Sequence, residues 1–476
     1  MKDGVESDVD CGGATCPKCQ LTAGCVTGPD CETGVCEGGQ CVDYYVWAKR
    51  FGDSNSQWGD AVAVDGLGNT FLAGQVKGTV NFGGATLTAP APKAITLAKF
   101  DSTGAHIWSK VFTGGQLNHT SGMTTDFTGR VLLTGTAANG SDFGGGPLTG
   151  AATASNFFVA KLDTGGNHLW SRLFSSGNGK AIATSSAGEF FVLGELFSST
   201  VDFGCGNLPS SGAAALGVAK FSGASNTCLW SKRFGGTTTT SSHGAGIAVD
   251  ASGNTIVAGM FSGSIDFGCG GLSSATNGTG SAFVAKLDPS GACVWSKAFG
   301  DPSNSATSDP EVIGLNVDSA GNIYTAGYFA GTLDFGKGAV TALGQQDIFI
   351  AALTPSGTTS WFKQFGSAPG GYQEPIGFTV NTVGKLLITG SIGPDVDFGG
   401  GALATGGLFM AELDLAGNHL WSRTFGPGGA YGASIAYSGM NDVVLTGWLL
   451  GQLDFGGGAL TTMGNEDIFL AKLLLP

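Results

Sequence analysis

Two histidines and a scatter of carboxylates are the groups in this chain best suited to move protons or hold a polar ligand. Of the five histidines, His106, His168 and His419 share one position, two residues before a tryptophan, which marks them as members of a repeated strand. His119 and His243 stand between repeats, in segments that also hold Asp53, Trp58, Asp60, Asp301 and Asp309. Glu311, Tyr372, Glu374 and Tyr431 complete that set. Imidazole beside carboxylate suits general acid–base work. Two carboxylates roughly 5–10 Å apart would suit glycoside hydrolysis. Acidic groups interleaved with aromatic rings equally suit a bound cation, sugar or peptide with no reaction at all. The plain alternative is solvated loop decoration.

No catalytic residue is assigned. Gly-x-Ser-x-Gly, His-Glu-x-x-His and the P-loop are missing from the sequence. Nor is a metal or cofactor expected. Asp-x-Asp-x-Asp-Gly loops are missing, so a bound calcium ion has no motif behind it. Cys16-Pro17-Lys18-Cys19 is half of a zinc site without a second Cys-x-x-Cys, which favours disulfides over metal.

A repeat sets the elements that must position these residues. Trp, a small residue, Lys or Arg, any residue, then Phe recurs from Trp47, Trp108, Trp170, Trp230, Trp295, Trp361 and Trp421 (Trp361 is followed by Phe362). Asp-Phe-Gly keeps the same beat at Asp142, Asp202, Asp266, Asp334, Asp397 and Asp454, with Asn81 heading the remaining copy. An apolar run of the Ala-Lys-Leu-Asp type and an alternating run with a Gly-Asn turn complete each unit. Short runs rich in Val, Ile and Phe, bounded by Gly, Asn, Asp and Ser, read as strands and turns. No window shows helical spacing of apolar residues.

Four strands per unit, repeated seven times, predict an all-β fold: a seven-bladed β-propeller of four-stranded blades. Trp47 lacks the three strands that should precede it, and the chain stops after three strands of a further unit. Tyr45–Phe51 is therefore expected to be the outer strand of the seventh blade, closing the ring and removing open sheet edges. The Trp and Phe of each copy should pack against the neighbouring blade. The Asp of Asp-Phe-Gly is the expected partner of the cation between them. These residues are excluded from any site, and function should lie where the repeat breaks. That points to blade-to-blade loops at 52–60, 113–121, 175–180, 235–244, 300–312, 366–375 and 426–432, where the candidates above lie. A second irregular position follows the Gly of the second strand: Gln75, Thr136, Glu195, Met260, Tyr328, Ser391 and Trp448.

Composition sets the class. Gly is 84 of 476 residues and charged residues are 12%, which suits a turn-rich β protein. A formal charge of −14 disfavours nucleic acid as a partner. No apolar run is long enough for a transmembrane segment.

Seven cysteines (Cys11, Cys16, Cys19, Cys25, Cys31, Cys36 and Cys41) crowd the start, predicting a disulfide-stapled module at 1–43 ahead of the propeller at 44–476. Disulfides imply an extracellular or cell-surface location. Met1-Lys2-Asp3-Gly4 reads as a processed start from which a signal or lipoprotein segment is missing. Cys205 and Cys269 follow Phe-Gly in the two units where Cys228 and Cys293 stand two residues before Trp. This co-occurrence predicts disulfides Cys205–Cys228 and Cys269–Cys293 and puts each Asp-Phe-Gly beside its own Trp strand; Cys228–Cys269 is the alternative.

The unit, as in Trp295-Ser-Lys-Ala-Phe-Gly, Val-Asp-Ser-Ala-Gly-Asn-Ile-Tyr and Gly-Thr-Leu-Asp-Phe-Gly, resembles the bacterial seven-bladed propeller repeats known as SBBP repeats. Glu6-Ser-Asp-Val-Asp-Cys-Gly-Gly and the cysteines after it are similar to Cys-rich modules of myxobacterial surface and secreted proteins. The resemblance implies the fold and a surface or lipoprotein-like setting, and supplies no catalytic residues. The expected function is binding or adhesion to a glycan, peptide or protein at the loop face, with self-association as a further option. The alternatives are a lyase or glycan hydrolase built on the acidic residues, and a structural subunit of a surface layer or filament.

Overall fold

The computed structural model describes residues 11, 18–20, 23–26, 30–31, 36–37, 40–41, 44–90, 92–114, 119–150, 155–198, 200–209, 215–235, 241–274, 280–301, 309–367, 371–426 and 429–476. The chain is all-β, and no helix among these residues is long and apolar enough to cross a membrane. Most of it forms antiparallel sheets in a propeller-like arrangement. Five are four-stranded, and Gln57–Val64, Thr70–Val76, Ala94–Phe100 and His106–Phe112 make up one of them. A seven-stranded sheet spans 119–234 because one strand, His168–Thr184, runs unbroken from one repeat into the next. The loop expected at 175–180 is therefore strand. Tyr45–Phe51 pairs with Asp467–Leu474 and so completes the sheet of 430–474.

Third strands such as Ala94–Phe100 and Ser281–Leu287 are buried along their whole length, since each sheet is covered on both faces by its neighbours. The lysines inside them need a counter-charge. Lys99, Lys161 and Lys286 find Asp65, Asp126 and Asp250 in the turn between first and second strands. Lys220 and Lys472 meet Glu189 and Asp442 at the far end of the equivalent turn. One sheet reverses the pair, with Glu412 on the third strand and Lys385 across from it.

The Trp strand grips the next sheet at both ends. Trp108, Trp230, Trp295 and Trp361 donate their indole N–H groups to the carbonyls of Thr164, Pro289, Pro355 and Leu415 in the following sheet's last turn. Each ring lies on a glycine of that turn. A Cβ on Gly291 would come within 2.9 Å of Trp230, and one on Gly357 within 2.9 Å of Trp295. At the other end, Phe112, Phe234 and Phe299 meet Phe143, Phe267 and Phe335 of Asp-Phe-Gly at 5.2, 4.9 and 4.2 Å between ring centroids. Trp47 on Gly104, and Phe51 against Phe82, repeat both contacts between the 430–474 sheet and the 57–112 sheet. The expected packing of Trp and Phe on the neighbouring sheet is what the structure contains.

The expected ion pair of the Asp-Phe-Gly carboxylate is not. Asp142 accepts from the backbone N–H groups of Gly144 and Gly146, and Asp397 from those of Gly399 and Gly401. A short turn with two positive-φ glycines brings those donors within reach, so the carboxylate is spent on the backbone.

Cys205–Cys228 and Cys269–Cys293 are disulfides, with Cα atoms 5.5 and 5.6 Å apart. In other units the same contact is a ring on a glycine: His168 covers Gly145, His419 covers Gly400 and Tyr45 covers Gly457. Among the early cysteines, Cys11 pairs with Cys19, and Cys25 and Cys31 are disulfide-bonded. Cys16 lies outside the described residues, as do the side chains of Cys36 and Cys41.

The equivalence of these contacts can be tested. The double variant Gly145→Cys/His168→Cys should form a third bond of the same kind, leaving no additional titratable thiol in the unfolded, non-reduced chain. A loop of this length predicts a gain of about 3 kcal/mol in urea unfolding, lost on reduction. Two free thiols would show that the positions are not equivalent.

Candidate functional site

Neighbouring first strands approach each other at one small residue each. Gly122 faces the Ala181 backbone, Gly246 faces Leu315, Gly314 faces Phe378 and Gly377 faces Ile435; a Cβ on Gly246 would stand 2.6 Å from that of Leu315. Immediately before this point every first strand carries a β-bulge. Register slips between Gly59 and Ala61, Thr120 and Gly122, Gly179 and Ala181, Gly244 and Gly246, Val312 and Gly314, Pro375 and Gly377, and Gly432 and Ser434. A bulge re-aims the extra residue. Those residues are Asp60, Ser121, Lys180, Ala245, Ile313, Ile376 and Ala433. Ser121, Lys180, Ala245, Ile313 and Ile376 line one cavity of ≈260 Å³ together with His243, Met260 and Glu311. Beyond them, the first strands enclose a further space of ≈390 Å³ with a largely polar surface, around which Thr124, Thr184, Asn316 and Phe378 stand.

One step before each bulge stands a cross-strand pair. Trp58 faces Gln75, His119 faces Thr136, Asn178 faces Glu195 and His243 faces Met260. Glu311 faces Tyr328, Glu374 faces Ser391 and Tyr431 faces Trp448. The two irregular positions in the sequence are thus two halves of one set of pairs. Trp58, Asp60, His119, His243, Asp309, Glu311, Glu374 and Tyr431 lie on strands, not in the loops where they were expected. The first strand starts earlier than its apolar alternation does, because its first residues pair with the second strand while facing the opening.

The pairs differ in chemistry around the set. Asp60 accepts from Gln75 Nε2 at 2.8 Å and from the Thr120 backbone N–H at 3.2 Å, while Lys93 donates to the other end of Gln75. Asp60 keeps some exposed surface, but its carboxylate is enclosed, and burial pushes it up to about 7 against these donors and Lys93. His119 Nε2 meets Ser121 Oγ at 2.8 Å. Burial, with Lys93 and Lys180 nearby, holds His119 down to about 4. Lys77 and Lys93 lie 5.3 and 5.8 Å from the Trp58 ring.

Glu195 is buried beneath two cations. His243 Nδ1 meets its Oε1 at 2.7 Å and Lys180 Nζ lies 3.1 Å from the same oxygen, while Asn178 Nδ2 donates to Oε2. Burial would raise the Glu195 carboxyl, but the His243 hydrogen bond and the Lys180 charge outweigh it and hold it low. The His243 imidazole is raised in return, chiefly by that hydrogen bond. Half of the His243 side chain stays exposed, so the ring, anchored through Nδ1, can exchange a proton with a ligand. Across the cavity, Tyr328 donates to Glu311. Burial and the Glu311 charge raise the Glu374 carboxyl. Tyr372, 51% exposed, is raised by burial and by both glutamates. Tyr431 stacks on Trp448 at 5.5 Å.

Two candidates fall outside this arrangement. Asp53 ties a turn, accepting from the Asn55 and Thr79 backbones and from Gln57 and Thr79 side chains, which hold it low despite its partial burial. Asp301 is buried in a separate groove with Lys297 and Asp334. The Asp309 side chain lies outside the described residues. Sequence reading missed Lys180, Asn178 and Ser121. Their signal was a small residue recurring three places after the paired position: Ala61, Gly122, Ala181, Gly246, Gly314, Gly377 and Ser434.

Asp60 makes stability depend on pH. Its folded value of about 7 stands above the unfolded 3.8, so its ionisation disfavours the folded state as pH rises from about 4 to 7. His119 acts oppositely, losing stability as pH falls from 6.5 towards about 4. The melting temperature of the wild type should therefore fall relative to Asp60→Asn across pH 4 to 7, a comparison that cancels His119. Parallel curves would show that Asp60 titrates normally.

No protein-family model matches this chain, and no curated protein matches it. Among solved structures it is similar to a Dyadobacter fermentans DSM 18053 protein of unknown function, at 10% identity and a TM-score of 0.43 over 90% of this chain and 99% of that one. A quinohemoprotein alcohol dehydrogenase from Comamonas testosteroni shares 9% identity at a TM-score of 0.40, covering 90% of this chain and 76% of that one. Another, from Pseudomonas putida HK5, has the same identity and TM-score, covering 95% and 80%. These low scores say nothing about ligand or activity.

Proposed function

We propose that residues 44–476 are a closed seven-bladed propeller of the SBBP-repeat type that binds a small ligand, or the exposed end of a larger one, where the bulges face the opening. The four-stranded sheets, the pairing of Tyr45–Phe51 with Asp467–Leu474, and the contact between Ala430–Tyr437 and Gln57–Val64 support the ring. Residues 1–43 would be a separate disulfide-stapled module. Disulfides at Cys205–Cys228 and Cys269–Cys293, with those among the early cysteines, favour a secreted or surface-held protein that meets a glycan, peptide or protein outside the cell.

The observation behind binding is that bulges aim Ser121, Lys180 and Ile313 into one cavity whose rim carries His243, Glu311 and Met260. The scaffold varies its residues both at the paired positions and at the bulges beside them. Convergent polar groups over an apolar lining are the usual make-up of a ligand pocket.

Purified protein screened on glycan and peptide arrays should retain one ligand class. Tyr372→Ala, at an exposed position, should weaken that binding about tenfold or more without lowering the melting temperature. Lys180→Ala should weaken it as much and also lower the melting temperature, because buried Glu195 loses a counter-charge. Wild-type binding in both variants, or retention of nothing, would overturn the reading.

A further inference from the structure

The charges around the cavity are sorted by side. On one side Lys180 and His243 share the single buried carboxylate of Glu195, so two donors converge on one acceptor and can offer their remaining N–H groups to the opening. On the other side Glu311 and Glu374 hold equivalent places on neighbouring first strands, where the Glu311 charge helps to raise the Glu374 carboxyl. Tyr328 donates to Glu311, and Tyr372 stands two residues before Glu374. Among the described residues no Lys or Arg forms an ion pair with either glutamate. Between the two sides the lining is apolar, from Met260, Ala245, Ile313 and Ile376.

An anion alone would leave the glutamates repelling each other. A cation alone would leave the remaining N–H groups of Lys180 and His243, beyond those that meet Glu195, without an acceptor. A neutral sugar would set its hydroxyls against isoleucine and methionine, at the desolvation cost of polar groups without partners. A ligand carrying both charges a few ångströms apart around an apolar body satisfies all three surfaces. Two carboxylates and two tyrosine rings are suited to an ammonium group. A lysine and an anchored imidazole are suited to a carboxylate. A space of ≈260 Å³ is below the usual range for drug-sized ligands and takes one or two residues.

We infer that the cavity binds a zwitterion with an aliphatic body, an apolar dipeptide or amino acid, with its ammonium at Glu311 and Glu374 and its carboxylate at Lys180 and His243. This rests on the reading of the opening as a binding site and adds the class of ligand.

Calorimetry with the full chain at pH 7 separates the two. Leu-Leu should bind, and N-acetyl-Leu-Leu and Leu-Leu-amide should each bind at least about tenfold more weakly. Glu311→Gln/Glu374→Gln should no longer distinguish Leu-Leu from its acetylated form. Lys180→Met should no longer distinguish it from the amide. A cooperative melting transition in each would show that both variants fold. Equal binding of free and capped peptides, or no binding of Leu-Leu at millimolar concentration, overturns the zwitterion. A glycan that binds and is lost in Lys180→Ala would then leave the site standing with a different ligand.

Discussion

Everything in this molecule depends on how closely the first strands approach one another. Where Gly246 meets Leu315 and Gly122 meets Ala181, no room exists for another methyl group. Sheets that touch at their inner strands and keep their natural twist must diverge outwards. The widening gap needs progressively larger side chains. Small residues stand on the first strands, aliphatic and phenylalanine side chains on the second and third, and tryptophan on the fourth. The Trp ring ends on a glycine of the next sheet because a flat surface is needed there, and its N–H finds the adjacent carbonyl. The regular tryptophans are thus the outer answer to a constraint set at the centre.

The same constraint produces the site. Beside the residue of closest approach each first strand also breaks its ladder with its own second strand, and the bulge there turns one side chain per sheet out of the regular alternation. No separate loop architecture is required. Because the backbone at this level is fixed by packing, the paired residues beside the bulge are free to differ, and they do: Trp58 with Gln75, Asn178 with Glu195, Tyr431 with Trp448. The resulting opening is basic on one side and acidic and aromatic on the other.

Much of the architecture was legible because it is repeated. Strand content, the Trp and Phe contacts and both disulfides followed from comparing units within one chain. The Cys205–Cys228 contact could be read because two units replace a ring-on-glycine contact such as His168 on Gly145. Less was legible at the site. His243 and Glu311 stood out in the sequence by their irregularity and line the cavity that Lys180 also lines, but Lys180 did not stand out, because a bulge shifts register by one residue and leaves no mark in polarity. The pairing of Asp-Phe-Gly with a cation also failed. An Asp two residues before a positive-φ glycine finds backbone donors before it can reach any side chain.

The pairing of Tyr45–Phe51 with Asp467–Leu474 carries a cost that begins before folding is finished. Arg50 and Asp467 touch across 417 residues of chain. Loop closure over such a length is slow compared with the local pairing inside each repeat. During synthesis the repeats can form hairpins as they emerge, while Tyr45–Phe51 has no partner until Asp467–Leu474 has left the ribosome. For that interval the protein is a row of sheets with an orphaned strand at one end and an open edge at the other. Two such chains could exchange those ends, so slow completion, and not any flaw in the finished sheets, is where this protein is most exposed to intermolecular pairing.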